Sequence, residues 1–311
     1  MLFIFEAVQT RKNKPVIPEN CAMKKLCIVL FVFAGLKGFS QQPSQRNVQR
    51  IKIDTANLNL KHFSDSITGT KGNDFTRART LLYWLSSNFD WLATDYQNRT
   101  VKDIIARGGG NCFELAKVYM DMIDAAGIRY RSIAEINIHP VTPRRQVNAA
   151  AMVKQNGNSA SVFGLQHNDH RWVEIYNAEK NSWEPADPSM GVIGLNDWLK
   201  ARVWFGERKT IDTAISNEMI VPFAIFITGS NKQPDESRSA YYLIDKFNEL
   251  YGNRLSKLPE WNSWTKAVNN LTDPAKNAFL GKENLHLHQA DISKLAEIYQ
   301  ALKKSYQAKY S

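Results

Sequence analysis

The run GGGNCFELAKVYMDMIDAAGI, residues 108–128, constrains this chain more than any other segment. Three glycines followed by an asparagine stop one element and begin another within a few residues. The apolar positions after them, Ala116, Tyr119, Met120 and Ile123, share one broad face and predict an amphipathic helix. Gly127 suits the left-handed residue that closes it. Asn111 can cap this helix, with Glu114 three positions on. Cys112 then stands in the first helical turn, where backbone N–H groups and the helix dipole favour a thiolate. A cysteine that only fills space needs no such placement, so the segment points to a nucleophile.

The chain has three cysteines, and Cys21 and Cys27 fall within residues 1–40. Residues 23–40, MKKLCIVLFVFAGLKGFS, read as a secretory signal: Lys24 and Lys25, an apolar run from Leu26 to Leu36, then Gly38 and Ser40 as small residues before a cleavage point. The apolar run is short for a bilayer span. Cys27 lies near its start, which disfavours a lipid-anchored cysteine. Met23 is a plausible initiator, with residues 1–22 upstream of it. The expectation is therefore an exported protein, periplasmic or secreted, whose mature chain begins at Gln41 and carries Cys112 unpaired. Exported domains usually pair their cysteines or lack them, so a lone thiol there is a candidate for use. An uncleaved anchor is the alternative.

Hydrophobic residues make up 43% of the chain and aromatics 11%, enough for a sizeable core. The net charge of +10 is not gathered into a long basic run, so it gives no support to nucleic-acid binding. Residues 41–50 read as a polar lead-in. Phe75, Ala78, Leu81, Leu82, Leu85 and Phe89 keep a helical period through residues 74–92. Thr100 with Asp103 resembles a cap for a short helix through Ala106. Beyond Gly127 the period changes, and strands are expected at 130–136, at Met152-Val153, at 171–176, 183–186 and 220–228. Residues 229–238 form a polar, turn-rich break. Residues 239–311 are helical in pattern, with Asp291 as candidate cap of the last helix. Helices, then a meandering sheet, then helices again define an α+β fold. The expected organisation is an upstream extension and signal over 1–40, a core with its lead-in over 41–230 and a helical extension over 231–311.

A base and its orienting acid are candidates in the hairpin HRWVEIYNAEKNSWEPAD, residues 170–187. A four-residue loop at Asn177–Lys180 would pair Tyr176 with Asn181 and set His170 directly opposite Asp187, with Cβ atoms about 4.5–5.5 Å apart. Trp172 shares their face. A carboxylate there binds one imidazole nitrogen and turns the other toward the thiol. Pro185 implies an edge or an irregularity in this register.

Gly110-x-Cys112-x-x-x-Ala116, His170-x-Trp172-x-Glu174, and Trp183 followed by Asp187-Pro188-Ser189 resemble, in this order, the transglutaminase-like superfamily in its secreted bacterial branch. The resemblance covers roughly residues 70–195. It implies a papain-like α+β core with Cys112 as nucleophile, His170 as base and Asp187 as orienting acid, acting on protein or peptide amide bonds through a thioester. The superfamily contains cross-linking enzymes, peptide hydrolases, amidases and members without activity, so hydrolysis, transamidation and a non-catalytic binding module all stay open, with hydrolysis favoured for an exported site that meets bulk water. The animal enzymes add β domains and use calcium; this sequence has neither such length nor an acidic calcium-loop pattern. No cofactor is implied.

Each residue has a plainer reading. Cys112 reads alternatively as a small buried hydrophobe, His170 as a structural histidine, and Asp187 before a proline as a turn former. His167 is the nearest rival base, but it lacks the tryptophan and glutamate that follow His170. Trp172 and Trp183 read as core aromatics, and Glu174 and Glu184 as the solvent side of the hairpin. His286 and His288 have no cysteine or acidic cluster at metal-ligand spacing. The glycines lack the Lys-Ser/Thr of a phosphate loop.

Overall fold

Cys112 owes its position to a helical layer that precedes the main sheet. In the computed structural model, residues 53–92, 95, 97–138, 169–207, 221–229 and 234–310 are described. The signal segment, the lead-in at 41–50, the strand expected at Met152-Val153 and the rival base His167 lie outside them. The helical layer comprises α1 (Leu60–Thr68), α2 (Asp74–Asn88), α3 (Val101–Arg107) and α4 (Cys112–Ala125). Between them, β1 (Asp90–Trp91) and β2 (Gly109–Gly110) form a short parallel pair.

A six-stranded antiparallel sheet follows: β3 (Tyr130–Asn137), β4 (Asp169–Asn177), β5 (Ser182–Asp187), β6 (Val192–Ile193), β7 (Pro222–Thr228) and β8 (Pro234–Ser237), in the spatial order β6-β5-β4-β3-β7-β8. Helix α5 (Leu195–Arg202) follows β6. After β8 come a π-helical turn, Tyr241–Lys246, that runs into α6 (Phe247–Leu250), then α7 (Trp261–Phe279) and α8 (Gln289–Tyr310). The fold is α+β. Strand β8 lies inside the stretch read as a polar break. The last helix begins at Gln289, so Asp291 sits in its first turn rather than at its cap.

Two apolar clusters flank the sheet. Val173, Ile175, Ala186 and Ile193 pack against α2, α3 and α4 through Leu81, Leu85, Ile104 and Tyr119. Ile133, Trp172 and Phe226 belong to a second cluster with Trp198 of α5, Tyr242, and Trp264 and Leu302 of the last two helices. The C-terminal helices thus share a core with the strands. No helix among the described residues is long and apolar enough to cross a membrane.

Helix α4 is held from several sides. The buried Tyr119 hydroxyl donates to the Ala78 carbonyl of α2 at 2.9 Å, and burial pushes its pKa up. Arg77 donates to the Ala126 carbonyl just past the helix, and the buried Ser64 hydroxyl donates to the Met122 carbonyl. Gly127 at φ 71° closes the helix as expected. Within α4, Met122 joins Tyr119 and Ile123 in the core. Met120 packs at the margin instead, where its sulfur meets the Ser132 hydroxyl of β3.

The three glycines have separate reasons. Gly108 takes φ 70° as the left-handed cap of α3. At Gly109 a Cβ would lie 2.5 Å from the Asp90 carbonyl oxygen, and at Gly110 another would lie 2.6 Å from the Glu114 Cβ. The backbone leading into Cys112 therefore runs too close to its neighbours for any side chain. Gly109→Ala is expected to destabilise the fold by about 1–3 kcal/mol, because the obstacle is backbone that has no side chain to swing away. Denaturant unfolding checks this; an unchanged midpoint would contradict the close approach.

Candidate active site

Asn111 caps α4 as its sequence position predicts. Its side chain accepts from Glu114 N at 3.0 Å, and the Glu114 carboxylate accepts from Asn111 N at 3.1 Å. Glu114 is itself buried and anchored by Arg99 at 2.8 Å. Arg99 also holds Asp95, and that hydrogen bond keeps the Asp95 carboxyl down at about 2. Lys117 of α4 donates to the Arg99 carbonyl at 2.7 Å. The turn carrying Cys112 is thus tied through charged contacts to Arg99, just before α3. Cys112 is partly exposed.

His170 lies near the start of β4 and Asp187 at the end of β5, both buried. His170 Nε2 donates to Asp187 Oδ2 at 2.6 Å. The register that brings them together differs from the one expected. Val173 pairs with Ala186 and Asn177 with Ser182, so the hairpin is shifted by two residues and its loop runs from Ala178 to Asn181. The shift is even, so it leaves every side chain on its expected face. Asp187 falls opposite Trp172 in the continued register, and His170 reaches it diagonally, a span of about 7–8 Å between backbones that these side chains bridge. Pro185 is tolerated because β6 pairs only with Ala186 and Asp187, and on that side Pro185 offers just its carbonyl, which accepts from Gly194 N at 2.7 Å.

The second oxygen of Asp187 is fixed by its own turn. Oδ1 accepts from Ser189 N at 3.1 Å, from the Ser189 hydroxyl at 2.7 Å and from Met190 N at 3.2 Å. Oδ2 is left for His170. With Nε2 of His170 occupied, Nδ1 is the nitrogen available to Cys112, whose side chain is the other hydrogen-bonding partner of the ring. Burial pulls the His170 pKa down. The charges of Asp187 and Cys112 and their hydrogen bonds outweigh it and push it up to about 10. The ring is therefore an imidazolium at neutral pH, between Asp187 and Cys112.

The sequence-predicted residues Cys112, His170 and Asp187 are thus brought together. Trp172 is both a core aromatic and a donor: its indole N–H gives a 2.8 Å hydrogen bond to Glu135. Glu174 and Glu184 do not decorate a solvent face; both are buried. Glu174 accepts from Arg131, Arg238 and the Tyr242 hydroxyl. Glu184 accepts from Leu195 N at 2.8 Å, at the first residue of α5. Alternation gave no hint of these partners because they come from β3, from the segment after β8 and from α5. His288 pairs with Glu283 at 2.6 Å, far along the tail.

Two neighbours of the site were missed in the sequence, Glu135 of β3 and Arg202 of α5. Both are buried, and Arg202 lies 3.5 Å from Asp187 Oδ2. A carboxylate within the apolar run Ile133–Ile136 was the available signal for Glu135. For Arg202 the signal was its place four residues after Trp198 on one helix face.

Residues 61–188 match the family model of the transglutaminase-like superfamily. That segment runs from α1 to the residue after Asp187. Among solved structures, a candidate cysteine protease from Cytophaga hutchinsonii matches at 14% identity and a TM-score of 0.29, over 45% of this chain and 46% of that one. Calcium-bound LapG of Legionella pneumophila matches at 12% identity and a TM-score of 0.26, over 62% of this chain and 98% of that one. The chain thus spans less than half the length of the Cytophaga protein. No curated protein matches it.

The charge on His170 has a direct readout. In an NMR titration of the imidazole, its ring should stay protonated through neutral pH, with a midpoint near 10. Cys112→Ala should lower that midpoint, since one of the ring's two partners is then gone. A midpoint at or below the ordinary 6.5 in the wild type would contradict the ion pair.

Proposed function

We propose that this protein is an exported cysteine enzyme that cleaves protein or peptide amide bonds through a thioester on Cys112. The observation that carries the reading is the buried His170–Asp187 hydrogen bond of 2.6 Å, with Cys112 as the ring's other partner. The match of residues 61–188 to a superfamily of cysteine peptidases and transglutaminases supports it. Export rests on the signal-like sequence at 23–40.

The chemistry follows from the charges. The Cys112 thiolate attacks the amide carbonyl carbon, and the carbonyl electron pair moves onto oxygen. The Cys112 backbone N–H, at the start of α4, is suited to hold that oxyanion, an effect of about 2.7–4 kcal/mol per donor. His170 gives its proton to the leaving amine as the tetrahedral intermediate collapses to a thioester. The neutral imidazole then takes a proton from water, which attacks the thioester and releases the acid. Asp187 keeps the ring oriented and balances its positive charge in both steps. Partial exposure of Cys112 gives both substrate and water access, which favours hydrolysis over transfer to an amine. Cut peptides mark hydrolysis, and isopeptide links mark transamidation.

An electrophilic amide or glutamine mimic should label Cys112 alone. His170→Ala should slow labelling between pH 6 and 8 by about tenfold or more, because the cation that holds the thiolate is lost. The helix terminus should preserve a residue of reactivity. Folded Asp187→Asn protein should lose turnover by orders of magnitude, through loss of the ring's orientation and counter-charge. Equal labelling rates in wild type and His170→Ala would transfer the chain to the binding-module reading.

A further inference from the structure

A buried ion pair stands directly behind the His170–Asp187 hydrogen bond. Arg202 is 1% exposed and Glu135 is fully buried. One guanidinium nitrogen of Arg202 meets Asp187 Oδ2 at 3.5 Å and the Met190 sulfur at 3.3 Å. The other donates to Glu135 Oε1 and, at 2.7 Å, to Asn137 Oδ1. Glu135 in turn receives the Trp172 indole N–H on its second oxygen, and it is the cross-strand partner of His170. Opposite charges therefore alternate from His170 through Asp187 and Arg202 to Glu135, with Cys112 on the far side of the ring. The groups converge from α4, β4, β5, α5 and β3.

We propose that Arg202 and Glu135 are positioning residues for the site, a buried counter-pair that fixes the Asp187 carboxylate and sets how much negative charge His170 feels. The contacts suit arginine in particular. A planar guanidinium presents separate N–H edges to two carboxylates at once, which an ammonium on a single stem cannot do. Asp187 Oδ2 is shared between His170 and Arg202, so any charge Glu135 draws toward itself is unavailable to compete with the imidazolium. Trp172 holds Glu135 in place for that purpose, which gives the tryptophan two residues after the histidine a role beyond packing. The proposal concerns the site assigned above, but its electrostatics do not depend on turnover.

The test is the NMR titration of His170 in a Cys112→Ala background, where the thiolate charge is absent and Asp187, Arg202 and Glu135 are the charged groups left facing the ring. Glu135→Gln removes a negative charge and frees Arg202 to act on Asp187, so the midpoint should fall by about one pH unit. Arg202→Gln removes the competing cation and should raise it by a similar amount. Arg202→Lys keeps the charge and should titrate near the parent. A packing role alone would not move the two neutral variants in opposite directions. An unmoved midpoint in either folded variant, or movement of both in the same direction, overturns the proposal. If Arg202→Gln does not fold, the Glu135→Gln midpoint decides: a fall supports the counter-pair and no fall overturns it. Failure of the enzyme reading shows separately, as Cys112 labelling that ignores His170.

Discussion

Asp187 is a carboxylate without exposure to water, and two cations converge on one of its oxygens. A charge in that position persists only if it is paired and hydrogen-bonded on every side. Three donors from the Ser189–Met190 turn satisfy Oδ1, and His170 with Arg202 satisfies Oδ2. Removing one member of such a group leaves an uncompensated buried charge, at a cost of about 3–5 kcal/mol. The need to satisfy Asp187 ties the ends of β4 and β5 to α5 and, through Glu135, to β3. The imidazole orientation follows from it.

The other half of the site depends on close backbone approach. Gly109 and Gly110 lie against Asp90 and Glu114 with no room for a Cβ, and the Asn111–Glu114 box then fixes where α4 begins. Tyr119, Arg77 and Ser64 hold the rest of the helix against its neighbours. The thiol is thus carried on a helix, while His170 and Asp187 are carried on the sheet. Such placement on regular elements suits chemistry that requires the reacting atoms to be held at fixed distances.

Much of this was legible in the sequence where short-range rules operate. The caps at Thr100 and Asn111, the left-handed Gly127 and the buried face of α2 follow from local spacing and are found where spacing puts them. Even the wrong hairpin register kept His170 and Asp187 on one face, because a two-residue slip preserves alternation. What the sequence hid are contacts made across long separations. Glu174 and Glu184 read as solvent-facing, yet partners from β3, from the helix after β8 and from α5 bury them. Arg202 meets Asp187 and Glu135 only once α5 has folded back over the sheet.

The central claim is that Cys112 carries the acyl group. A p-nitrophenyl ester supplies a general acyl donor, and stopped-flow release of nitrophenol with intact-mass analysis reads the result. The account predicts a burst of about one equivalent and a hydroxylamine-labile acyl adduct on Cys112, both lost in Cys112→Ala. A burst that survives in Cys112→Ala, or an adduct on any other residue, would contradict it.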